Sequence, residues 1–155
     1  MKKIRLVLLL LATMFCSNVL YAQTYAIMND AKKTVAFTID ESKGIYAGDI
    51  RGEKSVFLGK FEGDEFKMAS QYNNVVLSYK NGCLYVNGVN DPMFKMEEGK
   101  TYFRNDNKGW TFHNAIEDNK VFFEGKLMWE YTESVPDKIH LVLIFCIVAT
   151  ALLAK

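Results

Sequence analysis

Histidine is the residue best suited to proton transfer near neutral pH, and the central part of the chain contains a single one, His113. A Ser-His-Asp arrangement could join it to one of these serines: Ser42, Ser55, Ser70 or Ser78. None of them stands in the Gly-x-Ser-x-Gly context of a nucleophile elbow. The sequence therefore favours His113 as an ordinary strand residue, and an envelope hydrolase using His113 is the less favoured alternative.

Metal and cofactor sites find equally little support in the sequence. His140 stands at the start of the C-terminal apolar run, so we expect no multi-histidine site. Most aspartates fall at expected turns, where their side chains bond the local backbone: Asp30, Asp40, Asp49, Asp64, Asp91 and Asp106. The stretch between Asp40 and Asp49 lacks calcium-loop spacing, and no phosphate-binding glycine loop or dinucleotide fingerprint occurs. We predict no catalytic residue, no metal, no cofactor and no enzymatic activity.

The positions of the cysteines argue against a disulfide in the central part, and the charge argues against a nucleic-acid partner. Cys16 lies in the N-terminal apolar run and Cys146 in the C-terminal one, which leaves Cys83 without a disulfide partner in the central part. The whole chain has a formal net charge of +1, but acidic residues outnumber basic ones in the central part. A clustered basic surface is needed to bind phosphate backbones, so a nucleic-acid partner is not expected.

Aromatic residues are the more serious candidates for a binding site. Phe, Trp and Tyr make up 14% of the chain, and exposed aromatic rings are typical of surfaces that bind proteins or glycans. We predict an aromatic binding surface that includes Tyr72, Tyr85 and Trp110, with another envelope protein or a glycan as partner. The alternative, which the sequence favours, is that most of these rings belong to an aromatic core.

The central part of the chain predicts an all-β fold. Short runs rich in aromatic and β-branched residues recur between Gly, Asn and Asp, without a sustained helical period. We predict strands at residues 25–28, 34–39, 45–49, 56–61, 66–70, 75–79, 84–87, 94–96, 102–105, 110–113 and 121–129. The fold class is therefore an antiparallel meander of short hairpins.

The strands follow a rhythm of about 20 residues, which indicates either a true repeat or the regular spacing of any meander of short strands. Five segments recur at spacings of 21, 19, 17 and 20 residues, each preceded by turn residues such as Asn81-Gly82, the strongest hairpin signal. They are Ile45-Tyr-Ala-Gly48, Phe66-Lys-Met-Ala69, Tyr85-Val-Asn-Gly88, Tyr102-Phe-Arg-Asn105 and Phe122-Phe-Glu-Gly125. One stretch resembles the small bacterial repeat domains of the β-flower type: Thr34-Val-Ala-Phe-Thr-Ile39, followed by Gly44-Ile-Tyr-Ala-Gly48 and Val56-Phe-Leu-Gly-Lys-Phe61. That resemblance implies hairpins packed about a pseudo-symmetry axis, and it brings no assigned chemistry.

The first 22 residues are typical of a secretory signal. Lys2, Lys3 and Arg5 precede the apolar residues 6–16, and Ala22 provides a small residue for cleavage. Basic residues before the first apolar segment stay on the cytoplasmic side. We therefore predict that residues 23–133 are exported, with an uncleaved signal anchor as the alternative.

The C-terminal apolar run predicts a single transmembrane helix over residues 134–155. Ser134-Val135-Pro136-Asp137 resembles a capping box, and a helix that begins at Val135 reaches about 30 Å, the thickness of the hydrocarbon core. His140 and the nearby Trp129 and Tyr131 would lie near the headgroups. We predict these membrane-anchor residues: Val135, Pro136, Leu141, Phe145, Leu153 and Lys155. The alternatives are a core helix packed on the β domain and a sorting signal removed by a transpeptidase.

These predictions describe a bacterial cell-envelope protein. It would be held by one helix in the lipid bilayer and display an all-β domain on the periplasmic or extracellular side, in a non-enzymatic interaction or structural role.

Overall fold

The computed structural model describes residues 23–52, 54–105 and 108–153. Twelve antiparallel strands precede one long helix, and the prediction of an all-β meander of hairpins is confirmed. The strands are β1 (Thr24–Met28), β2 (Val35–Ile39), β3 (Gly44–Ala47), β4 (Val56–Glu62), β5 (Glu65–Met68), β6 (Val76–Lys80), β7 (Cys83–Val86), β8 (Phe94–Glu97), β9 (Lys100–Asn105), β10 (Gly109–Glu117), β11 (Lys120–Phe123) and β12 (Lys126–Tyr131). The helix is α1 (Asp137–Leu153), and a short 3₁₀ turn, Ser70–Tyr72, links β5 to β6.

The strands close into a barrel. Each strand pairs with its neighbours in sequence, and the first strand also pairs with the last. Ala26 of β1 lies opposite Phe37 of β2 on one side and Tyr131 of β12 on the other. Closure leaves no open sheet edge, so the ladder continues around the whole ring.

In a meander, alternate turns lie at opposite ends of the barrel. One end carries the tight turns of β2–β3, β4–β5, β6–β7, β8–β9 and β10–β11, and we name it the polar end. These are the hairpin turns that the repeat predicts, and Asn81 and Gly82 both have the positive φ of a primed turn (52° and 74°). The other connections form the opposite end, which we name the apolar end for the side chains described below.

One predicted strand is two. The apolar stretch from residue 121 to residue 129 contains a tight turn at Glu124 and Gly125, whose φ angles are 49° and 73°. The turn separates β11 from β12, which then pair with each other. A glutamate in a left-handed conformation gives little sequence signal, because this conformation favours Gly, Asn and Asp.

The apolar C-terminal helix lies in the interior of the barrel. A barrel of about eight strands is just filled by its own side chains, and one of about sixteen leaves a water channel. Twelve strands leave room for a helix about 10 Å wide. Leu141, Val142, Leu143 and Ile144 are each at most 1% exposed. Since four consecutive residues cover every face of a helix, α1 is surrounded by the barrel.

The helix begins later than predicted. It starts at Asp137 rather than Val135, and its described part has 17 residues, a length of about 26 Å. Within residues 23–52, 54–105 and 108–153, no helix combines the length and the apolar character needed to cross a membrane. The transmembrane helix is thus not supported. Uniform apolarity does not distinguish a helix surrounded by lipid from one surrounded by inward-facing strand residues.

The predicted headgroup residues lie in the barrel as well. Trp129 is 7% exposed and Tyr131 is 2% exposed, and both contact the ring of His140, which is fully buried. Leu141 is buried and Phe145 half-buried in the same interior, whereas Val135 and Pro136 precede the helix. The predicted signal sequence of residues 1–22 and the predicted anchor residue Lys155 lie outside the described residues.

Candidate functional site at the apolar end of the barrel

The helix runs from the polar end to the apolar end. Near its start, Lys138 Nζ lies 2.8 Å from Asp64 Oδ1 and 2.9 Å from the carbonyl oxygen of Gly63, both in a polar-end turn. Near its other end, Phe145 and Ala149 lie beside Tyr72, in the β5–β6 connection at the apolar end. The carboxyl-terminal half of α1 therefore lies at the apolar end.

Buried polar groups fix the helix at this position. Tyr131 Oη lies 2.7 Å from His140 Nδ1, and His140 Nε2 lies 3.2 Å from Asn114 Oδ1. Asn114 Oδ1 can only accept, so His140 carries its proton on Nε2 and accepts the Tyr131 hydroxyl proton at Nδ1. Burial lowers the pKa of His140 to about 3 and raises that of Tyr131. The network is neutral and joins the helix to β10 and β12.

Large apolar side chains are exposed mainly at the apolar end. The exposed ones there form a set that we name the apolar rim: Val56, Phe57, Val89, Met93, Trp110 and Phe123. Their exposed fractions run from 36% for Trp110 to 52% for Val89. Phe112, 48% exposed, lies further along β10 on the side of the barrel. Large apolar side chains exposed at one end of a protein are a feature of interaction sites.

Strand alternation and loop position explain the rim. Val56 and Phe57 are the first residues of β4, and Phe123 is the last residue of β11, so all three stand where strands emerge from the barrel. Val89 and Met93 belong to the β7–β8 connection. Side chains at the ends of strands and in connections are covered less than those in the middle of a strand.

The two ends also differ in charge. The polar-end turns and the segment that leads into α1 carry mostly acidic side chains, such as Glu62, Asp64, Glu98 and Asp118. Connections at the apolar end carry acidic and basic residues in nearly equal number. An anionic surface would therefore repel the polar end and not the apolar end.

Trp110 takes part in an aromatic cluster on the outside of β8–β10. Lys95 Nζ lies 5.2 Å from the centroid of the Trp110 ring and 5.0 Å from that of Tyr102. Tyr102 in turn packs edge-on against Phe112, with 6.0 Å between ring centroids. The lysine is already engaged by these rings and by Glu97, 2.9 Å away. Trp110 is the member of this cluster that belongs to the apolar rim, and Tyr102 and Phe112 lie on the side of the barrel.

The predicted aromatic surface is only partly brought together. Trp110 belongs to the apolar rim, Tyr85 lies on β7, opposite Ser78 of β6, and Tyr72 lines a cavity beside the helix. Tyr72 and Trp110 share the apolar end, while the rim's aliphatic members were not predicted. Turn residues gave no signal for them, because exposure depends on which end of the barrel a connection occupies.

A cavity of ≈ 470 Å³ lies at the apolar end between α1 and the wall of the barrel, and we name it the end cavity. Its walls are predominantly apolar, and the uncharged polar residues Gln71, Tyr72 and Asn73 come from one loop. The lining residues are Ala36, Phe37, Ala47, Leu58, Met68, Gln71, Tyr72, Asn73, Val75, Phe145, Cys146 and Ala149. Its volume is in the range usual for small-molecule sites.

His113 lies in β10 at a bulge next to Asn114. Its ring packs against Phe123, with 5.4 Å between centroids, and against Phe103 at 6.3 Å. Burial lowers its pKa, and Nδ1 has no hydrogen-bond partner in the structure. These are the surroundings of a packed ring.

Metal-binding and thiol chemistry gain no geometric support. Among the described residues, no group of three or more His, Cys, Asp and Glu side chains is arranged to hold a metal ion. Burial raises the pKa of Cys83, and it raises that of Cys146 to about 12. Both thiols are therefore protonated near neutral pH and poor nucleophiles.

Comparison with known proteins adds no assignment. The chain matches no protein-family model, no curated protein and no solved structure. The resemblance to β-flower domains thus depends on the sequence motifs alone, and the candidate function depends on the geometry of the apolar end.

Proposed function

We propose that the protein is exported and attaches to the surface of a lipid bilayer through its apolar end, as a non-catalytic binding module. The observation that carries this proposal is the position of the apolar rim, whose exposed side chains lie at one end of the barrel. Export is the expectation from the basic and apolar residues before Gln23.

Interfacial attachment needs apolar side chains that can enter the boundary between headgroups and acyl chains. Val56, Phe57, Val89 and Trp110 can do so without rearrangement of the barrel, since each already contacts solvent. The acidic polar end would face away from an anionic leaflet. Both properties favour one orientation, with the helix axis directed towards the bilayer.

The transmembrane arrangement predicted from the sequence is the alternative. It is favoured by the uniform apolarity of residues 141–153. In this arrangement α1 would leave the barrel, and the hydrogen bonds that His140 forms with Tyr131 and Asn114 would be lost. Leu77, Leu84 and Phe94 would then line an interior without its helix. This cost makes attachment through the rim the better supported proposal.

Vesicle co-sedimentation tests the proposal. The full chain should bind phosphatidylcholine vesicles that contain phosphatidylglycerol, and Val56→Ser, Val89→Ser and Trp110→Ser combined should abolish binding. Phe112→Ser is the matched control, because Phe112 is equally exposed but lies on the side of the barrel. Alkaline carbonate should release the bound protein. Retention of the triple variant on vesicles, or resistance to carbonate, would overturn the proposal.

A further inference from the structure

We propose that the end cavity binds a single acyl chain. The proposal rests on the proposed function only for the orientation of the cavity towards a bilayer. Binding of a free fatty acid in solution does not depend on it.

The chemistry of the lining is divided. Leu58, Val75 and Phe145 belong to walls that offer hydrocarbon, and such walls favour an apolar ligand over water, which needs two to four polar partners. The polar lining residues Gln71 and Asn73 are both exposed and belong to the β5–β6 connection. A ligand with an apolar tail and a polar head matches this division, with its head beside that connection.

The polar lining residues also restrict the chemistry of the ligand's head group. The Gln71 side-chain amide donates to the carbonyl oxygen of Phe57 at 3.1 Å, which leaves its own side-chain oxygen as an acceptor. No lining residue carries a charge, so the cavity offers no ion pair. The head therefore stays in contact with solvent, and the tail supplies the affinity.

Access and space both fit a chain-like ligand. Phe37, Met68 and Phe145 are half-buried, so the cavity walls are accessible from outside. The space beside them is bordered by small residues from two strands and the helix, namely Ala36, Ala47 and Ala149. A large side chain at any of these three positions would occupy the volume that the ligand needs.

Titration of the full chain with cis-parinaric acid, without vesicles, tests the proposal. Saturable binding is expected, and Ala149→Phe should weaken it by about tenfold for every two methylenes that the ring displaces. Val148→Phe is the matched control. It places the same ring on the same turn of the helix, but Val148 does not line the cavity. Ala47→Leu provides a second filling variant from the barrel wall. Circular dichroism should show that each variant keeps its thermal midpoint within a few degrees.

Two further experiments complete the test. The first identifies the source of the acyl chain, and the second distinguishes the acyl-chain site from attachment to a bilayer. Mass spectrometry of protein recovered from vesicles that contain an added lysophospholipid should show this lysophospholipid bound if the bilayer supplies the ligand, and only added fatty acid if solution does. The rim variant should keep parinarate binding and lose vesicle binding, and Ala149→Phe should do the reverse. Unchanged parinarate affinity in both filling variants, or no saturable binding by the full chain, would overturn the acyl-chain site.

Discussion

The Tyr131 hydroxyl at the end of β12 donates a hydrogen bond to His140 Nδ1, 2.7 Å away in the first turns of α1. Only residues 132–136 separate the strand from the helix, so the chain turns directly from the wall of the barrel into its interior. This contact fixes the rotation and depth of an otherwise featureless apolar helix. Buried polar pairs of this kind specify register more than they add stability.

Stability should fall as the pH is lowered from about 6.5 towards 3. Burial lowers the pKa of folded His140 to about 3, whereas an unfolded histidine titrates near 6.5. Between these values the unfolded chain binds a proton that the folded chain does not, which favours unfolding. Urea unfolding at several pH values measures the slope. The parent protein and the His140→Phe variant to which it is compared both carry His113→Phe. Burial lowers the pKa of His113 as well, and its titration would otherwise contribute to the slope.

His140→Phe provides the comparison for this pH dependence. The variant should be less stable near neutral pH, because the Tyr131 hydroxyl loses its acceptor. Its free energy of unfolding should change less between pH 6.5 and 4.5 than that of the parent. Equal slopes in the two proteins would contradict a neutral, buried His140.

Tyr131→Phe should destabilise the fold by roughly 1–3 kcal/mol, since it leaves His140 Nδ1 buried without a donor. The double variant with His140→Phe should cost less than the sum of the two single changes, because the two groups form one network. Chemical unfolding of the four proteins measures the coupling. Strict additivity would show that the two side chains do not interact.

Substitutions along α1 should be costly on every face of the helix. Leu141→Ala, Leu143→Ala and Ile144→Ala should each cost about 2–5 kcal/mol, because each removes a fully buried side chain. Phe145→Ala, at the half-buried end, should cost less than about 3 kcal/mol. Thermal or urea unfolding gives these values. A periodic pattern, with every third or fourth position sensitive, would instead indicate a helix on the outside of the barrel.

Gly59→Ala should strongly destabilise the wall of the barrel. Gly59 has φ of 157°, and a Cβ there would lie 2.8 Å from the Phe66 ring and closer still to the carbonyl oxygen of Lys67. Gly63→Ala is the control, since Gly63 also has positive φ (63°) but open space around it. The control should cost about 1–2 kcal/mol. Comparable unfolding free energies for both variants would contradict the close packing of β4 on β5.

Trp110 should report contact with a bilayer. It is the more exposed of the two tryptophans, at 36%, whereas Trp129 is 7% exposed in the interior. Vesicle addition should shift the emission of Trp110 to shorter wavelength, and brominated lipids should quench it. Trp110→Phe should remove both effects. Quenching that persists in this variant would mean that Trp129 reaches the bilayer and that the barrel opens.

Local signals predicted the wall of the barrel well. Alternating apolar residues and turn pairs such as Asn81-Gly82 act over a few residues, so the strands and polar-end hairpins could be located. The turn at Glu124-Gly125 was not predicted, because glutamate is uncommon in a left-handed conformation. Closure of β1 on β12 could not be predicted, since it joins residues more than 100 positions apart through backbone bonds that no side-chain pattern encodes.

The helix and the candidate site depend on that closure. The sequence shows that residues 141–144 are apolar on every face, and a core helix was one alternative. The sequence of a helix does not show whether lipid or protein surrounds it. Twelve strands create an interior that an apolar helix can fill. The rim and the end cavity are likewise defined by which connections share an end of the barrel. Tyr72 and Trp110 were identified as aromatic candidates without the position that gives them a role.

The most direct test of the helix as the core of the barrel is removal of residues 137–155, followed by near-ultraviolet circular dichroism and thermal unfolding of the remaining chain. We predict loss of the aromatic signal and of cooperative unfolding, because Leu77, Leu84 and Phe94 lose the surface against which they pack. A soluble truncated protein that unfolds cooperatively at the midpoint of the full chain would contradict this account and favour a helix that lies outside the barrel.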